Sequence, residues 1–334
     1  MDKDELLGVF SRKATSVSPV LLESIQKFRG SHSLYEVLKY SLSVGGKRVR
    51  PVVLLLAGEA LGGTDEELLP AAVSYELLHN FTLLHDDIIN KRELRRGKPT
   101  VFKKFGPESA MVAGDLLFSL AYENLHKLSG QFRPSKVLTA FNYFNQSCGS
   151  LAQGQLKELE LQSSQEPKLS EYYYAIDNRI SSLFVGAMKT GALLASGADE
   201  QLDSFERYAV SFGRAFQIKD DILDLKGLPA YGKKTESDVK KGKRTILTIY
   251  AINHLEPKKR KEFLRILDKE QDQTSAADIA KAVSLIEESN ALNFAEEEAQ
   301  RVVGEGRAAI EDLPSDHHKA VFNAILDYAL ERDV

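Results

Sequence analysis

Ala71-Ala72-Val73-Ser74-Tyr75-Glu76-Leu77-Leu78-His79-Asn80-Phe81-Thr82-Leu83-Leu84 is the stretch that decides the fold class. Its apolar residues recur at three- and four-residue spacing and never alternate, which is the period of a helix and not of a strand. The same period runs outward in both directions: Ser109 to Leu128, Val137 to Leu161, Leu169 to Ser196, Leu202 to Leu225 and Arg244 to Leu255. Two more helical stretches follow, Ala276 to Ser289 and Leu292 to the C-terminus. Short breakers separate them, such as Gly62-Gly63-Thr64, Gly97-Lys98-Pro99, Glu166-Pro167 and Glu256-Pro257. Period-two runs bounded by Asn-Gly or Asp-Gly are absent, so no strand is expected. None of the breaks has the Pro/Gly/Ser composition of a linker. The expectation is therefore an all-α chain forming one domain over 1–334.

Composition narrows the function. The chain has 334 residues, with 44 Lys and Arg against 48 Asp and Glu, which argues against a general nucleic-acid binder. A single cysteine, Cys148, excludes an intramolecular disulfide and fits a reducing compartment. The opening Met1 to Phe10 is acidic and lacks the apolar core of a secretory signal, and no apolar run is long enough for a membrane span. A cytoplasmic protein is expected.

One element occurs twice. An Asp-Asp pair closes an apolar helical run in Leu83-Leu84-His85-Asp86-Asp87-Ile88-Ile89-Asn90, and again in Phe216-Gln217-Ile218-Lys219-Asp220-Asp221-Ile222-Leu223-Asp224. Residues four apart share a helical face. Asp86 therefore projects with Asn90, and Asp220 with Asp224, while Gln217 stands one turn earlier on that second face. Adjacent acids among Leu and Ile repel each other and lose solvation, a cost that a divalent cation removes. Oxygen ligands without His or Cys suit Mg²⁺, which binds through one or two carboxylates plus substrate phosphates. Taken singly, such a pair is also what an exposed helix end carries.

Bases follow the acids. Lys91, Arg92, Arg95, Arg96 and Lys98 come after the first pair; Lys226, Lys233, Lys234, Lys240, Lys241, Lys243 and Arg244 come after the second. Gly45-Gly46-Lys47-Arg48-Val49-Arg50-Pro51 opens another helix with Lys47 and Arg50 one turn apart, and lacks the earlier Gly of a P-loop. Acids for a metal with Arg and Lys around it are the usual means of holding a diphosphate. Some of these bases, Lys91, Lys234 and Lys240 in particular, read equally well as solvated loop charges. His79 lies two turns before Asp86 on its face, and Lys189 interrupts the apolar run Leu183 to Leu194.

These blocks resemble the trans-isoprenyl diphosphate synthases, or polyprenyl synthetases, over nearly the whole chain. In order they are Gly45 to Pro51, His79 to Asp87, Arg95 to Thr100, Ala113-Gly114-Asp115, Gly154-Gln155, Lys189-Thr190, Phe216 to Asp224, and Gly232-Lys233 to Gly242-Lys243. The resemblance implies a single helical bundle around a deep central cavity, and a homodimer. It implies that Lys47, Arg50, His79 and Arg96 hold isopentenyl diphosphate. Arg95, Lys189, Lys233 and Lys243 would hold the allylic diphosphate, together with two or three Mg²⁺ ions on Asp86, Asp87 and Asn90 and on Asp220, Asp221 and Asp224. Gln217 and Thr190 would stand near the reacting carbons, and Asp86, Asp87, Arg95, Lys189, Thr190, Gln217, Asp220 and Lys233 would carry the catalysis. The reaction so implied is ionisation of the allylic diphosphate, attack by the isopentenyl double bond and loss of a proton. Charge on the leaving diphosphate is met by cations, and dry walls keep water from the carbocation.

One position departs from the family pattern. The first motif has Asn90 where the family has a third Asp; an amide oxygen still reaches Mg²⁺ but brings no charge. An active enzyme with weakened metal affinity at this motif is expected, a poorly active or regulatory subunit being the alternative. Product length in the family is set on the helix before the first acid pair. Phe81 and Thr82 there, with Leu78 a turn deeper and Met111 or Ala113 on a neighbouring helix, resemble archaeal-type geranylgeranyl diphosphate synthases; farnesyl or longer products are the alternative. A terpene cyclase or head-to-head condenser shares the metal logic, but it has no use for Lys47, Arg50 and His79.

Overall fold

Thr64-Asp65-Glu66-Glu67 starts the longest apolar helix before the first acid pair. Glu67 N–H donates to the Thr64 hydroxyl at 3.4 Å and the Glu67 carboxylate accepts from Thr64 N–H at 3.2 Å, a reciprocal cap that satisfies two otherwise orphaned amides. The computed structural model describes residues 1–227 and 238–332. In chain order its helices are α1 Lys3–Glu23, α2 His32–Ser43, α3 Val49–Glu59, α4 Asp65–Ile89, α5 Val101–Phe105, α6 Pro107–His126, α7 Pro134–Gln162 and α8 Leu169–Ile176. They continue with α9 Ser182–Leu194, α10 Asp199–Lys226, α11 Ile246–His254, α12 Pro257–Leu267, α13 Ala276–Glu288, α14 Ala291–Ala309 and α15 Asp316–Glu331. The all-α expectation holds.

Three details differ from the sequence reading. Leu94–Arg95 (β1) and Lys98–Pro99 (β2) pair antiparallel around Arg96 and Gly97, both at positive φ. Two consecutive left-handed residues make the tight turn whose twist suits a hairpin, and Arg-Gly stands where Asn-Gly would have announced it. Glu256-Pro257 breaks the chain after α11, but Pro257 also begins α12, a helix the periodicity did not announce, where its missing N–H costs nothing. The stretch Leu169 to Ser196 is interrupted by a wide turn at Asp177–Ser181, where the helical hydrogen bonding loosens.

The described residues form two compact units. The first comprises Met1–Gln146, Leu183–Glu206 and Asp312–Ala324; the second comprises Ser147–Ser182, Arg207–Glu311 and Ile325–Val334. In the first unit α4 packs on α3 and α6. Helix α3 is buried from Pro51 to Gly58, the composition of a helix surrounded by others. Gly58 and Gly191 let α3 and α9 approach with backbone against backbone: a Cβ on Gly191 would strike the Leu54 carbonyl. In the second unit α11 packs on α14, α12, α13 and α8, burying Ile246, Leu247, Ile249 and Ile252. Gly154 has a similar role there, since a Cβ would press into the backbone of Ala175, Asn178 and Arg179 at the wide turn. Among the described residues no helix is long and apolar enough to cross a membrane.

Candidate active site

In the first unit α4 delivers Asp86 and Asp87 at its last turn and ends on Asn90. Asp87 is 3 % exposed, and burial raises its pKa above the ordinary carboxylate value although Arg95 pulls the other way. The β1–β2 hairpin brings Arg95 onto the pair: its Nη2 donates to Asp87 Oδ1 at 2.7 Å and to Asp86 Oδ2 at 3.0 Å, and its Nε to Asp87 Oδ1 at 3.1 Å. Arg92 adds a longer ion pair to Asp86 at 3.7 Å. Asn90 Nδ2 donates to the Asp86 carboxylate at 2.8 Å and to the Asp86 carbonyl at 3.0 Å. Its amide nitrogen thus serves the acid, which leaves its oxygen for other partners.

The same hairpin turn carries Arg96 to the Gly45-Gly46 loop. Arg96 donates to the Gly45 carbonyl, and its guanidinium fills the place a Cβ on Gly46 would need. Behind that loop, Arg48 starts α3 in the left-handed region, at φ 48° and ψ 42°, which costs a non-glycine residue about 1–2 kcal/mol. Its buried guanidinium donates to Glu76 Oε1 at 2.5 Å and to the Leu42 carbonyl at 2.7 Å. One turn along α4, His79 Nε2 lies 3.2 Å from Arg50 Nη1. A guanidinium only donates, so Nε2 is the acceptor and Nδ1 carries the hydrogen. Burial, and then the positive charge of Arg50, hold the His79 pKa well below its ordinary value, so the imidazole is neutral. The buried Nδ1–H has no hydrogen-bond partner among the described residues.

Helix α9 supplies Lys189, which pairs with Glu206 and lies 5.0 Å from the Tyr143 ring, and Thr190, whose buried hydroxyl is 3.0 Å from Tyr75 Oη. Leu78 is fully buried. Phe81 packs on His85 at 4.5 Å and on Phe118 at 5.0 Å between ring centres, over the space that Gly114 leaves free of side chain. The Thr82 hydroxyl turns back to the His79 carbonyl at 2.8 Å. Ala113 is buried but Met111 is 51 % exposed, so Met111 does not shape the interior beside Phe81 as the sequence suggested.

In the second unit Asp221 is 3 % exposed and surrounded by donors: Tyr172 Oη at 2.7 Å, Gln217 Nε2 at 2.8 Å and Ile246 N at 3.3 Å. Burial, reinforced by Asp238, still pushes its pKa up to about 7. Asp220 accepts from Arg332 Nη2 at 2.6 Å, and Asp224 accepts from Asp238 N–H at 2.6 Å. Lys243 lies 3.2 Å from Asp238 and 3.5 Å from Glu158; burial works against its charge, but these two carboxylates overrule it and raise its pKa. Lys233 lies outside the described residues.

The polyprenyl synthetase family model matches residues 31–286. The chain belongs to the polyprenyl synthetase family. Among its relatives, the geranylgeranyl diphosphate synthase of Methanosarcina mazei is 34 % identical over 301 residues, covering 90 % of each chain. The geranylfarnesyl diphosphate synthase of Natronomonas pharaonis is 31 % identical over 316 residues, again 90 % of each. The crystal structure of the Pyrococcus horikoshii geranylgeranyl pyrophosphate synthetase superimposes with a TM-score of 0.91 at 31 % identity, covering 98 % of this chain and 99 % of that one. This polyprenyl synthetase is an enzyme, a trans-prenyltransferase.

Polyprenyl synthetases act on isoprenoid diphosphates and typically use Mg²⁺, and the donor chemistry fits that ion. Each motif offers carboxylate or amide oxygens only, and burial raises the pKa of both Asp87 and Asp221. Among the described residues no three His, Cys, Asp or Glu side chains form a ready-made cage. Sequence reading did not find Glu76, Tyr172, Glu158 or Arg332. Each meets its site partner across tertiary distance, and no spacing rule announces it.

Proposed function

We propose that this enzyme is a Mg²⁺-dependent geranylgeranyl diphosphate synthase condensing isopentenyl diphosphate head-to-tail with dimethylallyl, geranyl or farnesyl diphosphate. The observation that carries the reading is the Asp86–Asp87 pair bridged by Arg95, Asp87 buried and Asp86 partly exposed, with the neutral His79 and the guanidinium groups of Arg50 and Arg96 in the same unit. Asp86, Asp87, Asn90, Asp220, Asp221 and Asp224 are the residues we assign to the metal, with Asp221 held in place by Tyr172 and Gln217. When bound, Mg²⁺ supplies positive charge to the departing diphosphate.

The chain's own residues do the rest. Lys47, Arg50, Arg96 and the Nδ1–H of His79 hold isopentenyl diphosphate. Arg95, Lys189, Lys233 and Lys243 take the allylic diphosphate, and their charge favours ionisation because it acts more strongly on the leaving group than on the intact ester. Thr190 and Gln217 stand by the reacting carbons, and apolar walls exclude water from the cation. No side chain is needed as nucleophile.

Phe81, with Leu78 below and Thr82 beside it, sets the product length: the Phe81–His85–Phe118 cluster is the floor against which the chain stops growing. The geranylfarnesyl-forming relative favours a second reading, a longer product. We further assign the enzyme one functional domain over 1–334, a cytoplasmic location and a homodimer, the last supported by Met111, Val112 and Leu138 standing 51 %, 59 % and 69 % exposed. Incubation with isopentenyl diphosphate, Mg²⁺ and each allylic diphosphate in turn, followed by sizing of the products, tests the reading. No turnover with any primer would overturn it, and Phe81→Ala with an unchanged product spectrum would remove Phe81 as the floor.

A further inference from the structure

Arg48 and Glu76 belong to none of the groups assigned so far, yet they form a buried ion pair: their side chains are 8 % and 4 % exposed. We propose that this pair is a positioning device that fixes the isopentenyl diphosphate side of the site, and that Arg48 and Glu76 set affinity for that substrate without touching it. The inference rests on the reading above, in which Lys47, Arg50, His79 and Arg96 hold isopentenyl diphosphate.

The geometry is that of a two-rung ladder. Arg48 and Arg50 stand at the start of α3; Glu76 and His79 stand one turn apart on α4. Arg48 joins Glu76 at 2.5 Å, and Arg50 meets His79 at 3.2 Å. Arg48 also donates to the Leu42 carbonyl at the end of α2, so one guanidinium ties α2, α3 and α4 together. Asn80 completes the lower rung, donating to Glu76 Oε1 at 3.1 Å and to the Glu76 carbonyl at 2.7 Å.

Three features say that this pair does more than stabilise. First, apolar residues of similar volume would fill the same space without two buried charges, so the charges are retained for what they orient. Second, Glu76 Oε2 is buried without a hydrogen-bond partner, so the carboxylate is aimed by Arg48 and not by saturation of its own oxygens. Third, Arg48 holds a left-handed backbone one residue after Gly45 and Gly46, both also at positive φ, with Lys47 between them. That four-residue turn, Gly45 to Arg48, decides where Lys47 sits and where the Gly45 carbonyl receives Arg96. Releasing the Arg48 anchor therefore shifts two of the four assigned contacts together, while Arg95 and Lys189 keep their own partners.

The test is steady-state kinetics on Glu76→Gln, Arg48→Met and the double variant Arg48→Met with Glu76→Met, on the full chain. A displacement of about 1 Å costs on the order of a hundredfold in a positioned reaction. The KM for isopentenyl diphosphate is expected to rise about ten- to a hundredfold in each variant, with the KM for the allylic diphosphate within about twofold of wild type. The double variant replaces the pair with apolar side chains and is expected to melt near the wild type while keeping the raised KM; Arg48→Lys is expected to recover part of it. A double variant with wild-type melting and wild-type KM would make the pair purely structural and overturn the inference. Equal rises in both KM values would overturn it too. If the wild type itself shows no saturation by isopentenyl diphosphate, the proposed function falls first and the inference with it.

Discussion

Restoring a third carboxylate at the first motif gives a calculable outcome. In Asn90→Asp the amide nitrogen that donates to Asp86 at 2.8 Å becomes an oxygen. The lost hydrogen bond to a charged acceptor costs about 1.5–3 kcal/mol. Two like charges about 4 Å apart at an effective dielectric of 20 repel by about 4 kcal/mol before relief. Relief is available: Arg92 and Arg95 already face Asp86, Asp86 is 20 % exposed, and the new side chain can rotate outward. A net destabilisation of about 2–4 kcal/mol follows in EDTA. Mg²⁺ reverses the sign, because the added carboxylate becomes a ligand; a gain of about 1.4 kcal/mol in binding moves the half-saturating concentration down tenfold. The assay is thermal melting in EDTA and across a Mg²⁺ titration, paired with turnover over the same titration. The variant should melt several degrees below wild type in EDTA and recover in Mg²⁺. A variant with wild-type melting in EDTA and an unshifted Mg²⁺ midpoint would refute the account of Asn90.

Other substitutions test separate links. His79→Gln keeps a neutral donor and should preserve the KM for isopentenyl diphosphate within a few fold, whereas His79→Phe should raise it by tenfold or more. Because His79 is held neutral, its titration should add no step to that KM between pH 6 and 8. Tyr172→Phe removes a donor that favours the Asp221 carboxylate. Since the Asp221 pKa is raised to about 7 in the fold, the folded state binds the extra proton, and its stability falls as pH rises through that value. The variant's deficit in EDTA melting should therefore be larger at pH 8 than at pH 5; an equal deficit would detach Tyr172 from Asp221. Gly154→Ala places a methyl against the backbone of Ala175, Asn178 and Arg179 and should cost about 1–3 kcal/mol in denaturant unfolding.

Local periodicity is what made the helices and both acid motifs legible. Asp86 with Asn90 is a pair four residues apart that the structure joins by a hydrogen bond, whereas Gln217, read on the face of Asp220 and Asp224, donates to Asp221. The hairpin that aims Arg95 and Arg96 was not legible, because strands of two residues carry no period and its turn is Arg-Gly. Met111 is expected beside the interior on a neighbouring helix, and only the folded chain shows that α6 leaves it exposed while burying Ala113. Glu76 sits in the decisive apolar stretch, and its partner Arg48 is 28 residues away. Arg332 meets Asp220 across 112 residues and Tyr172 meets Asp221 across 49, separations at which only the folded chain sets distance.

The guanidinium bridge over Asp86 and Asp87 has a consequence for order of assembly. A carboxylate pair that already owns a counter-charge is a weak trap for stray cations, and an ion arriving alone must compete with Arg95 for the same oxygens. A diphosphate changes the contest, since it offers Arg95 a better anion and frees the acids as it arrives. On the site assignment proposed above, metal and allylic diphosphate would enter as partners, each easing the binding of the other.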